Sequence, residues 1–301
     1  MLEMSDFKES SWLRWAADSP EDADILIMGI PFDNAVSLNK GAAKAPDHLR
    51  RLSVELSDTT DSFRPVKRGL LYDFGDMRSE LDWERYFSSV EDSAFDLLER
   101  DRFCLFLGGD HSVTIPLHKA FGRKFDGKKR GIIHFDAHYD LCPEYDGHIW
   151  SHACTEARAL EGVVTGDDLT FVGVRVAEET ELELMKDHPG IVTITSENVH
   201  DRGAENVAKT LIGRYAGYDA VYLTLDIDVL DPAYGPGTGT PVSGGLDPIT
   251  LIKILRRLLT ELPIMAMDIV EVAPPLDVND ITSWAALRII HEVFSSERWG
   301  R

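Results

Sequence analysis

The sequence predicts an α/β protein in which a mostly parallel central sheet of about eight strands lies between layers of helix. Three observations carry that prediction. Short apolar runs recur along the chain, segments with helical spacing separate them, and the runs are apolar throughout rather than alternating. A strand reads that way when helices cover both of its faces, because neither face meets water.

Taken in order, the runs occupy residues 24–30, 69–74, 103–107, 131–135, 169–174, 191–195, 220–225 and 264–272. After the second, Trp83, Phe87, Val90, Ala94, Leu97 and Leu98 mark one face of a helix. Before the eighth, Ile249, Ile252, Leu255, Leu258 and Leu259 mark another. A last helical segment over 281–294 is placed to cover the sheet or a neighbouring subunit. No Pro/Ser-rich linker, low-complexity tract or internal repeat breaks the alternation. The expected organisation is therefore one domain over 1–301, with residues 1–22 as an N-terminal extension.

With 301 residues, 44% of them hydrophobic, the chain can bury a large core. Its net charge of −21 speaks against nucleic acid or an anionic membrane as partner, since phosphate-rich surfaces would be repelled. It is compatible with a small cationic ligand. Cys104, Cys142 and Cys154 are too few and too irregularly spaced for a disulfide framework, which points to a reducing compartment. The first ten residues hold no apolar segment of a secretory signal. No run approaches the roughly 20 apolar residues of a membrane span, so the expected location is the cytoplasm.

Chemistry concentrates in residues 134–140 and 225–232, each following an apolar run. In extended chain, alternation puts Asp136, His138 and Asp140 on one side and groups Asp226 with Asp228. Carboxylates that close repel unless a cation sits among them, and neither stretch contains Lys or Arg. Divalent metal, more than one ion, is the compensator that fits. A third stretch ends another run at Gly108-Gly109, where the backbone can turn sharply, and then offers Asp110 and His111. Alone, a histidine there reads as a core or capping residue. Beside two carboxylate-rich strand ends, His111 is a candidate ligand.

These stretches belong to a longer ordered set. Gly-Gly-Asp-His-Ser at 108–112, Asp-Ala-His-Tyr-Asp at 136–140, Ser-His-Ala at 151–153 and Asp-Ile-Asp-Val-Leu-Asp-Pro at 226–232 are followed by Pro-Gly-Thr-Gly-Thr-Pro at 236–241. Gly-Gly at 244–245 and Val-Glu-Val-Ala-Pro-Pro-Leu-Asp at 270–277 complete it. Together they closely resemble the ureohydrolases, the arginase and agmatinase family, and Gly-Ile-Pro-Phe-Asp at 29–33 looks agmatinase-like. The resemblance implies a three-layer arginase-like fold and a binuclear manganese centre, two Mn2+ per subunit. His111 and Asp140 would complete one ion's shell and His138 and Asp228 the other's, with Asp136 and Asp226 bridging. An oxygen and nitrogen donor set without cysteine agrees with that metal.

The same resemblance implies roles for His152, as proton shuttle, and Glu271, as guanidinium binder. A guanidinium stays protonated and is a poor electrophile toward neutral water. Two cations sharing a water lower its pKa, and the hydroxide can attack the guanidinium carbon to release urea and an amine. His148 is the local competitor of His152, and the bland reading of Glu271 is an ion pair with a neighbouring base. His134, Asp110 and Asp231 read as hydrogen-bonding supports rather than ligands, and residues 236–245 as a rigid wall. Family members are commonly homo-oligomers, trimers or hexamers.

The substrate tail is read from the loop after the Asp-Ala-His-Tyr-Asp motif. Residues 141–147 lack the Asn and Ser cluster with which arginases hold an amino-acid head group, and carry Glu144 and Asp146 with no base. Many agmatinase-like sequences have Arg at the position of Cys142, and this chain does not. Two acids favour an amine-tailed substrate, agmatine first, cleaved to putrescine and urea. Lys40 and Lys44 keep 4-guanidinobutanoate and 3-guanidinopropanoate open, and arginase and formimidoylglutamase activities stand beside them. Cys142 and Cys154 read as ordinary loop cysteines in an acidic setting. A non-hydrolytic family member would have no use for the complete set, and a phosphatase reading lacks a Gly-rich phosphate loop with Lys.

Overall fold

A computed structural model describes residues 12, 15–63, 66 and 69–299. All eight apolar runs form strands: β1 (Ile25–Gly29), β2 (Leu71–Asp76), β3 (Phe103–Leu107), β4 (Arg130–Phe135), β5 (Leu169–Val172), β6 (Val192–Ile194), β7 (Ala220–Asp226) and β8 (Ile264–Val270). They make one sheet in the order β2-β1-β3-β8-β7-β4-β5-β6, with every pairing parallel. β1, β3 and β7 are buried at every residue, whereas the edge strand β2 alternates between buried and half-buried. That difference is the one expected between a strand with helices on both faces and a strand at a rim.

Among the described residues, eight α-helices cover the sheet: α1 (Ala45–Leu52), α2 (Trp83–Leu98), α3 (Thr114–Lys124), α4 (Thr155–Leu160), α5 (Glu179–Asp187), α6 (Ser196–Tyr215), α7 (Pro248–Glu261) and α8 (Ile281–Ser295). Alternate residues of each strand feed two separate cores, the signature of a three-layer molecule. Ile25, Ile27, Leu105, Leu107, Leu223 and Leu225 pack with α1, α6, α7 and α8. Leu26, Met28, Cys104, Phe106 and Tyr222 pack with α2 and α3 on the other side. α8 thus covers the sheet. No helix among the described residues is long and apolar enough to cross a membrane.

Several local expectations change. The eighth strand ends at Val270, not at 272, because Glu271 takes a left-handed φ of 61°. The fifth ends at Val172, before Gly173 at φ 99°. Ile249 is 56% exposed, so the buried face of α7 begins at Leu251 and Ile252. Of the segment 1–22, residues 1–11, 13 and 14 lie outside the described residues. Trp12 and Trp15 are buried against Phe294, at ring centroid distances of 5.5 and 5.7 Å, and the Trp12 indole N–H donates to Asp73 at 2.7 Å.

The strand order places the site. β3, β8, β7 and β4 are consecutive neighbours, and their register pairs Leu107 with Ile269, Asp226 with Val270 and Phe135 with Leu225. Residues that follow these positions, far apart in sequence, therefore emerge side by side at the carboxyl ends of the strands, where open parallel sheets bind ligands.

Candidate metal centre and active site

The chain leaves β3 through Gly108-Gly109, and a Cβ at Gly109 would stand 1.7 Å from the carbonyl oxygen of Phe32. Only glycine lets these two segments meet, and Asp110 N–H then donates to that oxygen at 2.8 Å. Asp110 caps the single 3-10 turn that follows, accepting from Ser112 N–H at 3.0 Å, and the turn presents His111 to the sheet.

His111 is fully buried, and its tautomer is fixed by its neighbours. Thr224 Oγ1 donates to Asp268 Oδ1 at 2.7 Å, since a carboxylate only accepts. The same hydroxyl oxygen therefore accepts from His111 Nε2–H, at 2.8 Å. In the neutral ring this leaves the lone pair on Nδ1, which has no hydrogen-bond partner among the described residues. Around that nitrogen stand Asp140 Oδ2 at 2.9 Å, Asp136 Oδ2 at 3.0 Å and Asp226 Oδ2 at 3.4 Å. Burial opposes a charge on His111, yet Asp136, Asp140 and Asp226 raise its pKa well above the usual imidazole range, so a proton or a metal cation joins Nδ1 to these oxygens.

A second nest adjoins the first. His138 Nδ1 lies 3.1 Å from Asp228 Oδ2 and 3.2 Å from Asp136 Oδ1, so Asp136 turns one oxygen to each nest. Burial, then Asp228 and Asp136, push Asp226 well above the usual carboxylate range, and burial with Asp136 also raises Asp228. The nearby guanidinium of Arg175 attracts them at a distance but gives them no hydrogen bond. It donates instead to the backbone carbonyls of Gly173, Asp228, Val229, Leu230 and Val242. Two imidazoles and four carboxylates without a thiol fit divalent cations that prefer oxygen and nitrogen donors. His138 has 26% of its side chain exposed, more than the other members that face it, and so marks the open side of the centre.

All six sequence-derived ligand candidates, His111, Asp136, His138, Asp140, Asp226 and Asp228, thus come together, but not through strand alternation. β4 stops at Phe135, and Asp140 reaches the cluster from a left-handed backbone, φ 52°. Asp228 sits in a 3-10 turn after β7, its N–H donating to Asp226 Oδ1 at 2.7 Å. Turn geometry, not the pleat, puts these side chains on one side. His134 joins the geometry without a free lone pair: it reaches Glu156 Oε1 at 2.9 Å through Nδ1 and Asp136 Oδ2 at 3.0 Å through Nε2. Burial opposes its charge, yet these two carboxylates hold it protonated, its pKa raised to about 9. It orients Asp136, as a support would.

Glu271 and His152 adjoin the cluster. The left-handed turn at Glu271 lets its N–H donate to Gly109 O at 2.8 Å and points the carboxylate inward. Left-handed backbone at a non-glycine residue costs roughly 1–2 kcal/mol, and two of the eight such positions among the described residues, Asp140 and Glu271, belong to the site. Glu271 Oε1 accepts from His111 N–H at 2.9 Å and from His152 Nδ1–H at 3.1 Å. No described donor bonds Oε2, beside which a Cβ at Gly239 would come within 3.6 Å. Glu271 is not in an ion pair with Arg or Lys among the described residues. His152 is turned by a short 3-10 segment, and its N–H donates to Ala35 O at 3.2 Å. Burial disfavours its charge, but the hydrogen bond and charge of Glu271, with Asp140 and Asp110 beyond, raise it to about 9.

The remaining candidates fall elsewhere. His148 packs at a tilt against Trp83, ring centroids 5.7 Å apart, and exchanges backbone hydrogen bonds with Tyr145. Asp110 holds Ala35 N–H at 2.9 Å, and Asp231 holds Ala233, Gly244 and Gly245, so both act as supports. Glu144, Asp146 and Lys44 are exposed, and Lys40 donates to Asn34 Oδ1 at 2.6 Å. Cys142 and Cys154 are buried free thiols that burial pushes up to about 12, far from thiolate reactivity. Sequence reasoning missed Thr224, Asp268, Glu156 and Ser37. An acid inside the apolar eighth run was a usable signal for Asp268; nothing singled out the hydroxyls.

A parallel α/β sheet that gathers four carboxylates and two imidazoles at its central strand ends defines a class of proteins built to hold divalent cations over a substrate. Comparison with known proteins specifies it. The model of the Arginase family matches residues 23–295. An agmatinase of Neisseria meningitidis serogroup C is 37% identical over 285 residues, spanning 90% of this chain and 86% of that one. The agmatine ureohydrolase structure from Thermoplasma volcanium superposes with a TM-score of 0.85 at 29% identity, covering 97% and 95% of the two chains. Proclavaminate amidino hydrolase from Streptomyces clavuligerus gives 0.87 at 26%, covering 98% and 99%. The chain belongs to the arginase family and is an agmatinase-like ureohydrolase enzyme.

Proposed function

We propose that this enzyme hydrolyses the guanidino group of agmatine to putrescine and urea, with two Mn2+ held by His111, Asp136, His138, Asp140, Asp226 and Asp228. The observation that carries the reading is the division of labour in Glu271. Its Oε1 is committed to His111 N–H and His152 Nδ1–H, and its Oε2 is left for a ligand in the space that Gly239 keeps open. A carboxylate so placed accepts N–H bonds from a planar cation and holds that plane beside the cation nests. Divalent ions held by these residues would supply Lewis acidity that makes water a competent nucleophile at neutral pH. His152, protonated below about 9, holds the proton that the leaving amine needs.

Agmatine is preferred because relatives at 35–37% identity carry the name agmatinase. The net charge of −21 also suits a substrate with a cationic tail. Glu144 and Asp146 give no contact with the centre to support the choice, and Lys40 and Lys44 give none against it. The same reading makes the enzyme a cytoplasmic single-domain homo-oligomer, a trimer or hexamer, with no nucleic-acid or membrane partner. The test is a panel of agmatine, arginine, 4-guanidinobutanoate, 3-guanidinopropanoate and N-formimino-glutamate on the Mn2+-loaded protein. The highest kcat/KM for agmatine is expected. A higher value for a carboxylate-tailed compound would replace agmatine while keeping the chemistry.

A further inference from the structure

We infer that Ser37 is a positioning residue for His152, holding the ring's Nε2 in both of its protonation states and passing it protons from solvent. The inference rests on the proposed role of His152 as proton donor. Nδ1 lies 3.1 Å from Glu271 Oε1, and a carboxylate only accepts, so Nδ1 keeps its proton. The proton that comes and goes must therefore be the one on Nε2.

Among the described residues, Nε2 bonds to one, Ser37, by two different groups. Ser37 N–H donates to it at 3.0 Å, which requires a lone pair on the ring. Ser37 Oγ lies at the same distance, 3.0 Å, and can accept from the protonated ring or donate to the neutral one. The neutral ring thus finds a donor in Ser37 N–H, and the protonated ring an acceptor in Ser37 Oγ once that N–H turns from Nε2. Ser37 is itself exposed, whereas His152 is 8% exposed, so the hydroxyl links a buried ring nitrogen to bulk water.

The loop is tied down where this contact needs it. Ala35 N–H donates to Asp110 Oδ2 at 2.9 Å, and Ala35 O accepts from His152 N–H at 3.2 Å, so loop and histidine hold each other. Asn39 Nδ2 donates to Gly239 O at 3.1 Å, which joins the loop's far end to the segment beside Glu271. The charged groups around the ring are Glu271, Asp140 and Asp110. None of them reaches Nε2.

The proton balance closes over one turnover. The Nε2–H bond breaks as an N–H bond forms on the leaving amine, and Ser37 N–H then bonds the ring's lone pair. Ser37 Oγ–H then gives its proton to Nε2 as the same oxygen takes one from a solvent molecule, so no alkoxide forms. One proton leaves the ring and one enters the hydroxyl.

The experiment is steady-state hydrolysis of agmatine by Mn2+-loaded Ser37→Ala, Ser37→Thr and His152→Ala, at fixed pH and ionic strength, with increasing imidazole buffer. Loss of one hydrogen bond of this kind predicts kcat about tenfold lower in Ser37→Ala with KM little changed. Added imidazole should recover it, and Ser37→Thr should retain it without imidazole. A structural defect would not respond to buffer. Wild-type kcat in Ser37→Ala, or a loss that neither imidazole nor Ser37→Thr repairs, would overturn the inference. Wild-type urea release by His152→Ala would instead remove the proton-donor reading itself.

Discussion

Thr224 gives its hydroxyl proton to Asp268 and takes one from His111 Nε2, so a single side chain decides which nitrogen of His111 faces the carboxylates. Thr224→Val keeps the shape and removes that acceptor. Manganese affinity should fall about 10–100-fold, read by titration calorimetry; unchanged affinity would mean the tautomer is set otherwise. His152 gives a second test at this scale. Its pKa is raised, so the protonated donor is present below about 9 and lost above it. The alkaline limb of kcat/KM should fall there, and the residual activity of Glu271→Gln should show that limb at lower pH. The six ligand candidates were legible because acids and imidazoles crowd short windows after apolar runs. Ser37 was not, since its partner His152 lies 115 residues away and hydroxyl residues are common in loops.

At the scale of elements, continuous apolar runs identified every strand, because burial on both faces leaves that mark on the side chains. Strand ends were harder. Glu271 and Gly173 stop β8 and β5 by taking left-handed backbone, a property that residue type at 271 does not announce. The order β3-β8-β7-β4, which assembles the site, is also invisible locally, since it depends on which runs pair. The crossing of residues 108–110 with Phe32 is the tightest joint in that assembly. Gly109→Ala would press a methyl against the Phe32 carbonyl, 1.7 Å away if nothing moved. We expect a loss of about 1–3 kcal/mol in urea denaturation, with urea-forming activity falling alongside. A variant as stable as wild type would show that the joint relaxes.

For the whole molecule, the net charge of −21 and the half-open His138 side of the centre define how a substrate arrives. A cationic guanidino compound is drawn in, and salt screens that attraction within about 10 Å at 0.1 M. Rising ionic strength should therefore lower kcat/KM for agmatine, chiefly through substrate capture, and leave kcat nearly constant. A rate that rises with salt would argue for an anionic substrate. The central claim is that the paired nests are the hydrolytic centre. The most direct measurement strips the protein of metal, reloads it stepwise with Mn2+, and records bound manganese per chain together with urea released from agmatine. Activity that is absent in the stripped protein and grows as occupancy approaches two ions per chain is the predicted result; urea release that persists without metal, or full loading that releases no urea from any guanidino compound, would contradict it.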